Sequence, residues 1–303
     1  MAQNVLLTGG SGFIGKNLTA VLIEAGFSVS VLSRSDKENT PEITYYKWDL
    51  NKNYIDNNAV LNADYIIHLA GEGIADKRWT KKRKRDILES RIKPIEMIFS
   101  ILESNNKKLE GFISASAVGI YGSVTSHKIC TESTPPADDF LGATCQKWEN
   151  AVDKIGSLQI RTVKIRTGIV LGKEEGFLKK MIPTFKSGFG AVLGSGKQYL
   201  PWIHIEDLAN IYLKSVQDSK LEGPYNACIT DNTTNSRLSK IMARFYGYSI
   251  WLPKIPSFVL KILLGELSEV VLTGQRVSSE KIQQTGFEFQ FTDLEKTLIN
   301  CLK

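Results

Sequence analysis

Apolar positions in the first half of the chain fall into short runs separated by stretches where they recur every three or four residues. The runs "NVLLTGG", "FSVSVLSR", "ITYYKWDL", "DYIIHLAG", "GFISASAVGIYG" and "LQIRTVKIRTGIVLG" read as six strands, the fourth apolar enough to be buried on both faces of a sheet. Between the first two, Ile14, Leu18, Val21, Leu22 and Ala25 share one helical face, and Gly26 supplies a stop. A long helix is expected from Asp86 to Glu103, its apolar stripe made by Ile87, Ile92, Ile95 and Ile98. Strands alternating with helices of this length predict a doubly wound α/β fold, with parallel strands joined by crossover helices.

The pattern changes after Gly172. Residues 172–203 are rich in Gly, Pro and aromatic residues, and read as an excursion over the sheet toward a ligand cleft. From about Asn232 onward helical patterns dominate, in "SRLSKIMARFYG", "PSFVLKILLG" and "DLEKTLINCL", with no convincing strand alternation. The expected division is a sheet domain at 1–231 and a smaller, mostly helical cap at 232–303, packed near the edge where open α/β sheets bind ligands.

Composition narrows the function classes. With 303 residues, 42% hydrophobic and 23% charged, the chain has the profile of a globular protein with a sizeable core. The N-terminus has no leader pattern and no apolar run reaches the roughly 20 residues of a membrane span, so a cytoplasmic protein without membrane contact is expected. Cys130, Cys145, Cys228 and Cys301 are scattered, and His68, His127 and His204 are far apart, which predicts reduced thiols and no metal site. Net charge is +6, much of it within Asp76 to Lys93. Without interleaved stacking aromatics that cluster reads as the solvated face of a helix, and no nucleic-acid partner is expected.

Candidate chemistry begins with the glycines. Gly9, Gly10, Gly12 and Gly15 lie between an expected strand and an expected helix, as a dinucleotide-binding turn requires. Gly9 permits the tight turn, Gly12 lets the backbone approach a diphosphate, and Gly15 allows close helix packing. The helix start at Phe13, Ile14 and Gly15 offers free N–H groups and the positive end of the helix dipole. Where the second strand ends, NAD sites usually carry Asp or Glu for the ribose hydroxyl. This chain has Ser33 and Arg34, and a forked guanidinium suits a 2′-phosphate, so NADP(H) is the expected cofactor.

With these features the chain resembles the extended short-chain dehydrogenase/reductase superfamily, a Rossmann-type fold whose members begin with T-G-x-x-G-x-x-G. More closely, it resembles the atypical branch of sugar-nucleotide-epimerase-like "epimerase family" proteins with a short C-terminal domain of unknown function. The markers are "HLAGEGIADKRWT", "SAVGIYG", "KWE", "IRTGIVLG", "GSGKQYLPWIHIEDLA" and "LTGQRV" followed by "GFEF". The resemblance implies further cofactor contacts: Asp49 near the adenine, Leu69, Ala70 and Gly71 after the fourth strand, Arg91 on the long helix, and Val170 near the nicotinamide. It also implies a possible homodimer.

Typical superfamily members use a Tyr and a Lys four residues apart as the proton-transfer pair, with a Ser or Thr on the reacting oxygen. Counting back from Glu149 puts Leu141 and Cys145 where Tyr and Lys would stand, and Ala117 at the serine position. Substitute candidates are Ser116, Tyr121, Cys145 and Lys147. "AVLGSGKQ" fails as a phosphate loop because Ala191 and Gln198 occupy required Gly and Ser/Thr positions. For His204 and Asp207 in "WIHIEDL" the resemblance implies a structural link between cap and sheet, in preference to a catalytic dyad. Two functions remain open: an NADP(H)-dependent oxidoreductase or epimerase acting on a small polar substrate, and a non-catalytic NADPH-responsive binding or regulatory protein.

Overall fold

The computed structural model describes residues 2–173 and 175–303. Its strands in chain order are β1 (Asn4–Thr8), β2 (Ser28–Ser33), β3 (Ile43–Asp49), β4 (Tyr54–Ile55), β5 (Tyr65–His68), β6 (Gly111–Ala117), β7 (Ile129–Cys130), β8 (Thr162–Thr167), β9 (Ile169–Leu171), β10 (Trp202–His204), β11 (Gly223–Ala227) and β12 (Arg276–Val277). The principal sheet has eight strands in the order β11-β8-β6-β5-β1-β2-β3-β4, all pairs parallel except β3 with β4. From β1 the chain steps outward through β2 and β3, then returns to the other side of β1 for β5, β6, β8 and β11. The order therefore reverses between β1 and β5, which opens a crevice at their C-terminal ends.

Because successive strand residues point to opposite faces, the sheet separates two cores. Val5, Leu7, Ile67 and Ile113 join Leu18 and Leu22 of α1 (Phe13–Glu24) on one face, with Leu208, Ile211 and Tyr212 from Ile205–Gln217. Their neighbours Leu6, Ile66 and Phe112 face the other way, toward α2 (Asn57–Leu61), α3 (Lys81–Ser104) and α4 (Phe140–Gly156). Ile87, Ile95 and Ile98 are fully buried, Ile92 partly. The stripe thus behaves as the sequence predicts, but α3 starts at Lys81 because the Thr80 hydroxyl accepts the Arg83 amide as an N-cap.

The remaining helices are α5 (Gly176–Lys186), α6 (Ile205–Gln217), α7 (Asn235–Phe245), α8 (Ser257–Leu264), α9 (Ser268–Leu272), α10 (Glu280–Gln283) and α11 (Leu294–Leu302). Leu178 and Phe185 of α5, Trp202, Leu238 and Met242 of α7, and Leu294 and Leu298 of α11 share a third core. The excursion thus packs with the C-terminal helices.

Two expectations about strands need correction. The run "LQIRTVKIRTGIVLG" is not one strand: β8 ends at Thr167, and from Ile169 the chain pairs with β10 in a separate ribbon, with no room for a side chain at Gly168 beside the Pro201 carbonyl and Cys228. The C-terminal region is not free of strands either, because β12 pairs with β7. Each partner is two residues long, too short for alternation to register. No described helix is long and apolar enough to cross a membrane.

Candidate functional site

The glycine turn closes the crevice on the β1 side. Gly9 has φ +72°, a conformation open to glycine, and a side chain there would stand 2.9 Å from the Ala70 amide. Gly15 packs against the Gly9 carbonyl and within 2.6 Å of Gly10 Cα, measured from where its Cβ would be, so the helix start presses on the turn itself. Gly12 differs: the Gly9 carbonyl oxygen, 3.3 Å from where its side chain would begin, is the one neighbour there among the described residues. As N-cap of α1, Gly12 has no side chain to cover the helix amides, so the N–H groups of Phe13 and Ile14 are not capped from within. The Phe13 ring turns away to pack on Gly172 and Gly176, which leaves this residue only its main chain to offer a ligand.

From the end of β1, Thr8 holds the segment that follows β5 beside the turn. Its buried hydroxyl accepts the amides of Leu69 (3.2 Å) and Ala70 (3.1 Å) and gives its own proton to His68 Nδ1 at 2.7 Å. The other ring nitrogen of His68 therefore carries the hydrogen and donates to the Arg91 carbonyl at 3.0 Å. Burial pushes the His68 pKa down to about 4, consistent with this neutral form. Thr8 and His68 orient the 69–71 main chain, and sequence reasoning assigned neither that task. The signal lay in the threonine of the glycine motif and the histidine of "HLAG".

Arg91 lies beneath Gly71, whose side chain would sit 3.1 Å from the guanidinium carbon. It donates to the Ile87 and Glu72 carbonyls and lies 5.2 Å from the Trp148 ring centre, while Arg83 binds the Glu72 carboxylate and the Gly73 carbonyl. Arg91 is thus a buttress for the 71–73 segment. Ser33 ends β2 with its hydroxyl donated to the Ser35 carbonyl, and the adjacent Arg34 side chain is exposed with no ion pair to another described residue. Asp49 ends β3, and one of its carboxylate oxygens accepts the Asn51 and Lys52 amides of the following turn. Val170, in the middle of β9, pairs with Ile203 and keeps part of its surface open.

Three of the four catalytic candidates, Ser116, Tyr121 and Cys145, are buried in the fold, and the fourth, Lys147, is exposed. The Ser116 hydroxyl donates to Glu149 Oε1 at 2.7 Å, and that carboxylate is gripped by Arg166 through two 2.8 Å contacts. Tyr121 is buried; its hydroxyl donates to Asn226 at 2.6 Å and accepts from Arg166, and burial raises its pKa further from neutrality. Burial, reinforced by Glu149, pushes the Cys145 thiol up to about 12, so at neutral pH it is no nucleophile or base. Lys147 is exposed on the outer side of α4. Ser116, Tyr121, Glu149 and Arg166 form a buried network that ties β6 to β8 and α4. Gln275 extends it to the C-terminal region by donating to the Tyr121 and Gly122 carbonyls.

His204 and Asp207 are a structural link. Asp207 accepts the amides of Gln290 (2.9 Å) and Phe291 (3.1 Å), and the His204 ring stacks on Phe291 at 3.6 Å.

Residues 5–228 match the NAD dependent epimerase/dehydratase family, and residues 255–301 match a domain of unknown function, DUF1731. Epimerase family protein YfhF of Bacillus subtilis is 36% identical over 297 residues, spanning 98% of this chain and 97% of the relative. The chloroplastic SDR39U1 homolog of Arabidopsis thaliana is 32% identical over 308 residues, with 98% and 86% covered. Human epimerase family protein SDR39U1, solved with NADPH, superposes with a TM-score of 0.84 at 27% identity over 99% of both chains. A chain with this switch-point crevice and glycine turn, matched over most of its length, belongs to the NAD dependent epimerase/dehydratase family and carries a DUF1731 segment at its C-terminus.

Proposed function

We propose that this chain binds NADP(H) across the C-terminal ends of β1, β2 and β5, and that it acts as an oxidoreductase or epimerase on a small molecule held beside the cofactor. The observation that carries this reading is the sparse surroundings of Gly12, where only the Gly9 carbonyl stands near a would-be side chain, in front of the uncapped start of α1, with Arg34 exposed at the end of β2 and without an ion pair among the described residues. The amides of Phe13, Ile14 and Gly15 would take the diphosphate, and Ser33 and Arg34 the phosphorylated ribose. Asp49 would stand near the adenine. Leu69, Ala70 and Gly71, buttressed by Arg91, would form the wall, with Val170 at the nicotinamide end. The human relative solved with NADPH supports the choice of cofactor. When bound, NADPH supplies a hydride.

We divide the chain at 231/232, with 172–203 and the cap enclosing the substrate. Four free, buried thiols fit a cytoplasmic setting. A second reading, an NADPH-responsive binding protein without turnover, is favoured by the engagement of Ser116, Tyr121 and Cys145 inside the fold.

The test is fluorescence titration of ligand-free protein with NADPH, beside a Gly12→Ala variant. Gly12 has φ −78°, which alanine adopts freely, so the variant should fold. Its methyl group would occupy the diphosphate path, and affinity should drop by roughly tenfold or more, since one charge-assisted contact is worth that much. Unchanged affinity would contradict the reading.

A further inference from the structure

Leu141 stands at the start of α4, opposite the turn that follows β6. Its Cβ is 3.6 Å, and Cys145 Sγ 3.9 Å, from where a Gly119 side chain would begin. Next to it Trp79 and Phe140 meet edge to face, ring centres 4.8 Å apart, and Leu264 and Val270 come down from the cap to close the same apolar cluster. Leu141, Ala117 and Val118 each keep part of their surface open.

Three polar side chains beside this wall are already engaged. Ser116 is committed to Glu149, Tyr121 to Asn226 and Arg166, and Lys84, lying 4.9 Å over Phe140, is paired with Glu266. A sugar hydroxyl laid against Leu141, Ala117 and Val118 would give up its water without a partner from those three polar side chains, whereas a hydrocarbon surface would gain from every methylene buried; the exposed Arg78 stands beside Gly265, on the Leu264 side of the cluster.

We infer that this wall takes an uncharged, largely apolar ligand, in place of the polar one the sequence suggested, and that Leu141 sets the preference. The inference rests on the proposed position of the cofactor and substrate cleft, and names the substrate class of that site.

The test is calorimetric titration of the NADPH-loaded protein with 2-alkanones from butanone to decanone, and with UDP-glucose. Affinity should rise by about fourfold per methylene until the wall is covered, and UDP-glucose should produce no heat. In Leu141→Asn the increment should fall below roughly twofold per methylene while NADPH affinity stays unchanged; Leu141→Met should keep the wild-type increment. No dependence on chain length, or tighter binding of UDP-glucose than of decanone, overturns the inference. Failure of the wild-type protein to take up NADPH would instead strike the cofactor reading; the alkanone series on unloaded protein then still decides the apolar one.

Discussion

At Arg34 a guanidinium without an ion pair among the described residues is exposed beside the strand end where an acidic residue would mark a preference for the unphosphorylated ribose. Arg34→Ala should weaken NADPH binding by roughly ten- to a hundredfold, the worth of a charge-assisted contact, and leave NADH nearly unaffected. Parallel titrations with the two dinucleotides check this. Glu149 presents the opposite situation, a charge held inside by Arg166 on two contacts and by Ser116 on a third. Glu149→Ala strands that guanidinium and should cost about 3–5 kcal/mol in urea unfolding. His68 adds a pH signature. Its folded pKa of about 4 lies below the ordinary 6.5, so between those values the unfolded chain takes up a proton that the folded one refuses. Stability should therefore fall as pH drops from 6.5 toward 4, by on the order of 3 kcal/mol from this residue. Melts across that range should be less steep for His68→Gln; an identical slope would refute the assignment.

The elements around the glycine turn were legible because each carries a local physical signature. The apolar run of β1, the glycine spacing and the stripe of α1 are short-range features, and their placement agrees with the structure. The catalytic candidates were not legible in the same way. Ser116 and Tyr121 look reactive as residue types, yet their burial depends on Glu149, Arg166 and Asn226, contributed by α4, β8 and β11. Strands β7 and β12 escaped notice because two residues carry no period. The glycines also separate fold from ligand at this scale. Gly15→Ala drives a methyl group into the Gly9–Gly10 backbone and should lower the melting temperature sharply, while Gly12→Ala, whose methyl meets only the Gly9 carbonyl oxygen at 3.3 Å, should lower it much less.

For the whole molecule, the parallel sheet supplies the crevice and the C-terminal segments are fastened to it at specific points. Asp207 accepts two amides from residues 290 and 291, and Gln275 reaches the Tyr121 and Gly122 carbonyls. Asp207→Ala leaves two backbone donors without their acceptor, at about 1–3 kcal/mol each, and should speed hydrogen exchange in α11 before it affects β1. The family resemblance implied a link at "WIHIEDL", but not that its partner lay more than eighty residues further on. The most direct test of the account is calorimetry on ligand-stripped protein, titrated in turn with NADPH and NADH. We expect saturable uptake of NADPH with an affinity at least about tenfold above that for NADH. Equal affinities would contradict the role of Arg34, and no uptake of either would contradict the account as a whole.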